Sequence, residues 1–272
     1  MDGVSTRLGR LFDGNGNAVV VAVDHGMFDG PHAGMEDIPA ALARLGDTPD
    51  AVLLSPGILR RCGSYFGRRA APLAVVRINF NTVFCFKWGY KEAVLKPAYA
   101  PEDALALGAD VVLVCHTAKT GDEARDAANL EQFAALCIRS HQLGLPVLGE
   151  YFPSAHLEKT PEELHEEVLI GCRMLEEFGA DCIKTFHTAR FREVTSKVSI
   201  PILGLGAEKT PTDRDALALA WREIQDGARG VVFGRNAVQA SDPGEFIRAL
   251  RDIVKEGASV DAVMRKYRLT GS

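Results

Sequence analysis

The stretch "TPEELHEEVLIGCRMLEEFGADCIKTF" (160–186) contains one complete structural unit, and the rest of the chain repeats it. Thr160 offers a side-chain oxygen to the unpaired N–H groups of a helix start. Pro161 has its φ preset for the first turn, and Glu162 and Glu163 sit at the positive end of the helix dipole. Leu164, Val168, Leu169, Cys172 and Leu175 recur at helical spacing, and Gly179 ends the helix. The residues that follow, "DCIKTF" (181–186), read as a short buried strand, yet Lys184 sits inside it. Lysine is seldom fully buried without a partner, and an unpaired buried ammonium tends to give up its proton.

Working outward, seven more apolar runs have the same character: "AVVVAV" (18–23), "AVLLS" (51–55), "PLAVVRI" (72–78), "DVVLVC" (110–115), "PVLGEY" (146–151), "IPILGL" (200–205) and "GVVFG" (230–234). Most are continuous rather than alternating, as expected of parallel strands covered on both sides. Between them lie helical patterns. "TPTDRDALALAWREIQDGA" repeats the grammar from Thr210 and Pro211 to Gly227, and "DEARDAANLEQFAALCIRSHQLGL" is a long helix between the fourth and fifth strands. Eight alternations predict an α/β fold, a single-domain (β/α)8 TIM barrel over 1–272. A doubly wound open sheet is the alternative, since repetition does not prove closure. Two segments depart from the rhythm. The connection at 79–100 carries Phe80, Phe84, Phe86, Trp88, Tyr90 and Tyr99 and reads as a lid, a subunit contact or packing on the outer surface. The tail "ASVDAVMRKYRL" (258–269) predicts one more helix.

Composition narrows the functional classes. The chain has 272 residues, 47% hydrophobic and 25% charged, with a formal net charge of −5, so it lacks the basic footprint of a nucleic-acid or anionic-membrane binder. No apolar run reaches the ~18 residues of a membrane span. The start "MDGVSTRLGRLFDGNG" has no apolar signal core, which points to the cytoplasm. Six cysteines are scattered without a C-x-x-C pair and read as reduced core thiols.

In a barrel, chemistry gathers at the C-terminal ends of the strands. Those ends carry Asp24 and His25, Arg77 and Asn79, His116, Glu150, Lys184, the segment Gly206 to Lys209, and then Gly234, Arg235 and Asn236. A desolvated Lys184 with a depressed pKa would be a neutral amine able to attack a carbonyl and form a Schiff base. The other reading pairs it with a neighbouring barrel carboxylate. "LGLGAEK" and "VVFGRN", after strands 7 and 8, predict a phosphate site in which Gly206 and Gly234 let backbone approach the anion and Arg235 adds charge. Asp24 and His25 are candidates for proton transfer or for a structural contact. No histidine spacing suggests a metal, and no cofactor motif is present.

Three blocks resemble the class I aldolases of the DeoC/FbaB superfamily, in the archaeal-type fructose-bisphosphate aldolase branch. That branch also holds the aminodideoxyheptulosonate synthases and the phospho-autoinducer-2 thiolase. The blocks are "RLGRLFDGNGNAVVVAVDHGMFDGPHAGMEDI", "GADCIKTF" and "GVVFGRNAVQASDP", in the right order. The resemblance implies Lys184 as the Schiff-base lysine and Asp24 as the strand-1 active-site aspartate. It places the phosphate on Gly206, Gly234 and Arg235, with Asn79 in the substrate-binding group. It also implies a metal-independent reaction without a cofactor, and a homo-oligomer, by analogy a decamer. The family's strand-5 tyrosine falls at Phe152 here, while Tyr151 is one residue early and so on the opposite face. Glu150 shares the face of Phe152 and is one candidate for the proton-transfer role, with Tyr151 as the other. Ala207 stands where the family has a second glycine. The implied activity is making or breaking a C–C bond in a phosphorylated ketose with a dihydroxyacetone-phosphate-like donor. The alternatives are acyl transfer of the thiolase type, condensation of a keto-phosphate with an amino-acid semialdehyde, or a sugar-phosphate-binding protein on a decayed aldolase scaffold.

Overall fold

Eight parallel strands close on themselves in chain order: β1 (Ala18–Ala22), β2 (Ala51–Leu54), β3 (Leu73–Arg77), β4 (Val111–His116), β5 (Val147–Tyr151), β6 (Cys182–Thr185), β7 (Ile202–Leu205) and β8 (Gly230–Phe233). The computed structural model describes residues 2–269. Each strand pairs with the next and β8 returns to β1, so the barrel is a closed single-domain (β/α)8 structure and the open sheet is excluded. Closure leaves no strand edge unpaired, which accounts for the continuous apolar runs: one face of each strand fills the barrel and the other meets the surrounding helices.

The interior is a period-2 series. Val20 and Ala22 from β1, Leu73 and Val75 from β3, Leu148 from β5, Cys182 from β6, Leu203 from β7 and Val232 from β8 form one buried cluster. The helix Gly3–Leu11 closes the N-terminal end of the barrel, placing Leu11 in that cluster with Leu8 and Phe12 against it. Asp50, Asp110 and Asp181, each just before an even-numbered strand, accept from backbone N–H groups at the start of the preceding strands, those of Val19, Ala74 and Val147. These donors would otherwise be unpaired at the barrel rim.

The helix Pro161–Glu177 starts as its sequence predicts, with a reciprocal capping box between Thr160 and Glu163. The next one differs. It spans Asp213–Gln225 with Thr212 as its cap, because the Thr210 hydroxyl is bonded to the Thr212 carbonyl and to the Asn236 side chain instead. The tail forms the helix Val260–Lys266, which packs on the helices Asp213–Gln225 and Pro243–Glu256. Among the described residues, all six cysteines are buried and free, and no helix is long and apolar enough to cross a membrane.

The long connection after β3 is ordered as a hairpin, Asn79–Asn81 against Leu95–Pro97, with 3-10 turns at Thr82–Phe84 and Phe86–Trp88. It is held to the barrel by Asn79, whose side chain exchanges two hydrogen bonds with the Cys115 backbone, both 2.8 Å, and by Asn81, which donates to Thr117 Oγ1.

Candidate active site

The period-2 series that fills the barrel ends in charges. Beyond Val20 and Ala22 comes Asp24, beyond Leu73 and Val75 comes Arg77, beyond Leu148 comes Glu150, and beyond Cys182 comes Lys184. All four side chains line one pocket at the C-terminal mouth. Glu150 and Lys184 are register partners on β5 and β6. Lys184 Nζ lies 2.5 Å from Glu150 Oε1, so the lysine has a carboxylate partner and is not the unpaired amine first expected. The two sequence readings of Lys184, pocket residue and ion-pair member, therefore describe the same side chain.

Arg77 holds the cluster together. Its Nε donates to Asp24 Oδ2 at 2.6 Å, and its Nη2 is 2.6 Å from Glu150 Oε2, an ion pair without hydrogen-bond alignment. The guanidinium also lies over the rings of Phe84 and Phe28, 4.9 and 5.2 Å from their centroids. Arg77 is fully buried, and its Nη1 has no hydrogen-bond partner among the described residues. Burial alone would raise the pKa of Asp24, but Arg77, Lys184 and His25 outweigh it and lower it to about 2. For Glu150, too, burial is outweighed by Arg77 and Lys184, and its pKa falls below the ordinary value. Both groups are carboxylates at neutral pH.

His25 lines the pocket with Nδ1 3.9 Å from Asp24 Oδ1. Burial, opposed by Asp24 but aided by Lys184 and Arg235, lowers its pKa to about 4, so the ring is neutral near pH 7. Gly234 is required by this ring: a Cβ there would lie 2.3 Å from His25 Cε1. Close packing thus gives this glycine a role independent of any anion.

Gly206, Ala207, Gly234 and Arg235 line the pocket on the β7–β8 side. Arg235 Nη2 donates to the Ala207 carbonyl at 3.0 Å, and Ala207 is held at φ 49°, a left-handed conformation that costs a non-glycine residue free energy. Asn236 fixes this edge. Its Nδ2 donates to the Gly206 and Glu208 carbonyls and its Oδ1 accepts from Thr210 N, tying the loop after β7 to β8.

Three sequence candidates lie elsewhere. Tyr151 points outward, as its offset implied; its hydroxyl donates to Glu167 Oε1 at 3.4 Å, and its ring occupies the space left by Gly171. Asn79 is turned to the Cys115 backbone rather than to the pocket. His116, also facing the outer layer, packs against Phe133 and Tyr151. Sequence reasoning gave no role to Arg77, although a charge inside "LAVVRI" is the same signal as Lys184 inside "DCIKTF". It also missed the pocket residues Phe28, Phe186 and His156, which no pattern in the sequence marks. Among the described residues, no group of three or more His, Cys, Asp or Glu side chains is arranged to hold a metal ion.

Residues 18–240, which hold the closed barrel and the lysine and two carboxylates at its C-terminal mouth, match the family described as DeoC/LacD family aldolase. The chain belongs to that family. It is 29% identical, over 97% of its own length and 99% of the relative's, to an uncharacterized aldolase of Saccharolobus solfataricus. It is 30% identical to the 3-hydroxy-5-phosphonooxypentane-2,4-dione thiolase of Klebsiella pneumoniae, over 93% of this chain and 82% of that one. Among solved structures, an archaeal fructose-1,6-bisphosphate aldolase with its catalytic Lys covalently bound to the carbinolamine intermediate superposes with a TM-score of 0.80. That match has 25% identity and covers 93% of this chain and 99% of that one.

Proposed function

We propose that the protein is a class I aldolase that forms a Schiff base through Lys184 and makes or breaks a C–C bond in a phosphorylated ketose. The observation that carries this reading is the contact between Lys184 Nζ and Glu150 Oε1, at the floor of a pocket whose other side holds Arg235. An ammonium plus a ketone gives an iminium plus water, with no net proton change. Glu150 is placed to take the ammonium proton before attack and to return it to the leaving hydroxyl. The iminium regains the positive charge of the ammonium, so Glu150 stabilises it as it stabilised the lysine. Cleavage removes the proton of the hydroxyl on the β carbon. The C–C electrons then pass into the iminium, leaving an enamine and releasing an aldehyde. Asp24, ionised and buried, is the base proposed for that proton, with His25 beside it. Gly206, Ala207, Gly234 and Arg235 are proposed to hold the phosphate, and the Arg235 guanidinium has donors beyond the one given to Ala207.

Borohydride added with dihydroxyacetone phosphate tests the lysine: one reduced ligand mass should appear on the peptide containing Lys184, and a label elsewhere or none would refute the reading. Arg235→Ala tests the phosphate edge. It should raise KM for a phosphorylated substrate by about 10- to 100-fold, the equivalent of ~1.5–3 kcal/mol for a charged hydrogen bond, and leave a dephosphorylated analogue unaffected. The thiolase relative favours a second reading on the same lysine, transfer of an acyl group to a thiol. Supplying a phosphorylated 2,4-dione and a thiol without borohydride distinguishes the two, because only the second breaks its C–C bond to give a thioester.

A further inference from the structure

The pocket wall facing the β7–β8 edge is aromatic. Phe28, Phe84, Phe86, Phe152, Phe186 and His156 line it, and they form a continuous surface. Phe84 lies 4.7 Å from Phe28 and 4.5 Å from Phe152, centroid to centroid; Phe152 is 5.0 Å from Phe186 and 4.9 Å from His156. Five of these six side chains have no hydrogen-bonding atom. The sixth, His156, stacks on Phe152 and Phe186 and brings the wall's two ring nitrogens; burial lowers its pKa. The wall also has a fixed place relative to the chemistry. Phe152 is two residues beyond Glu150 and Phe186 two beyond Lys184, so each stands about 6.6 Å, one pleat, further out on the same inward face.

From this placement we infer that the aldehyde joined to, or released from, the donor carbon at Lys184 carries an apolar side chain, aromatic or branched aliphatic, rather than a polyhydroxylated one. The inference rests on the Schiff-base reading of Lys184. With phosphate at the β7–β8 edge and the carbonyl carbon at Lys184, the remaining part of the substrate extends over the aromatic wall. Hydroxyl groups laid over the phenylalanines would lose their hydrogen bonds to water and find only the His156 nitrogens in return, whereas an apolar group would bury its surface. Asp29, His32 and Glu208 also line the pocket, but none of them belongs to the run of stacked rings.

The test uses the whole chain and dihydroxyacetone phosphate as donor. Its condensation with benzaldehyde and isobutyraldehyde should show a kcat/KM about 10- to 100-fold above that with glyceraldehyde and glycolaldehyde. Phe84→Ala should lower the apolar-aldehyde values about tenfold relative to those of the hydroxylated aldehydes measured on the same variant. If borohydride trapping of the donor on Lys184 succeeds but the hydroxylated aldehydes are equal or better, the aldehyde class falls and the lysine reading stands. If trapping fails, the lysine reading falls, and calorimetry with benzyl alcohol and glycerol still decides the wall. Tighter binding of benzyl alcohol upholds an apolar ligand there; equal or weaker binding overturns it.

Discussion

Glu150 and Glu223 are both buried acidic residues against the wall of one barrel, yet their surroundings drive them in opposite directions. Glu150 faces inward on β5 between Arg77 and Lys184, and those two cations hold it ionised despite its burial. Glu223 faces the barrel from outside, on the helix Asp213–Gln225, in the space that Gly204 leaves on β7. A Cβ on that glycine would lie 2.2 Å from the Glu223 carboxyl carbon. Neither Glu223 oxygen has a hydrogen-bond partner among the described residues, and burial, with only Arg222 opposing it, raises its pKa well above the ordinary value. Burial alone therefore does not mark a catalytic carboxylate. The distinguishing property is the presence of cations that keep the charge while a pocket gives access to it.

The sharpest way to test this contrast is to change the cation itself. Lys184→Arg keeps a positive charge beside Glu150 but removes the nucleophilic amine. Turnover should fall by at least about 10³-fold, while circular dichroism reports a folded protein. Near-normal activity would reduce the pair to a structural one. Glu150→Gln comes next. It should cost about 10²–10⁴ in kcat. It should also destabilise the fold by about 3–5 kcal/mol in denaturant titration, because Arg77 and Lys184 lose a shared buried counter-charge.

The equivalent change on the other side of the barrel should behave differently. Glu223→Gln should leave kcat within about twofold, since Glu223 touches no pocket residue of the proposed chemistry, and its thermal effect should depend on pH. The folded pKa is raised, so the stability Glu223 contributes as a neutral acid is fully present below the unfolded pKa near 4.3 and is lost as pH rises toward the folded value. The glutamine variant should then melt above wild type at pH 8 and draw level near pH 4. A constant offset across that range would show that Glu223 finds a partner. The smallest effect belongs to Tyr151→Phe, which removes only the long bond to Glu167: kcat unchanged, and at most about 1 kcal/mol of stability lost. A large loss of kcat would return Tyr151 to the reaction.

The barrel was legible in the sequence because its strands must be apolar on both faces and its helices must be capped in water. Those two demands leave periodic marks such as "DVVLVC" and Thr160–Pro161–Glu162–Glu163. The ionic floor was legible for a related reason: a charge inside an apolar run is out of place unless something pairs with it, and Lys184, Glu150 and Arg77 all interrupt such runs. Which charges pair with which depends on strand register, and "GEYFP" and "DCIKTF" do not state that Glu150 sits beside Lys184. The aromatic wall was legible only in part: Phe84 and Phe86 stood out in the 79–100 connection and Phe152 shared the face of Glu150, while Phe28, Phe186 and His156 carried no mark. Its rings come from the loops after β1, β3, β5 and β6, and phenylalanine in a loop has no pattern to distinguish pocket from exterior. The long connection is one such case: Phe84 is buried, whereas Phe86, Trp88 and Tyr90 are exposed, and of these three only Phe86 lines the pocket.

The two asparagine clamps on that connection have a practical consequence for protein engineering. Asn79 and Asn81 fasten the hairpin to the backbone at Cys115 and to Thr117, while Phe84 and Phe86 lie between them and the return strand. Residues 82–94 form an exchangeable cassette: both anchors lie outside it, and none of the four charged residues of the floor belongs to it. A library confined to that cassette, with Phe84 kept over the Arg77 guanidinium, would alter what the mouth accepts while leaving the four charged residues in place.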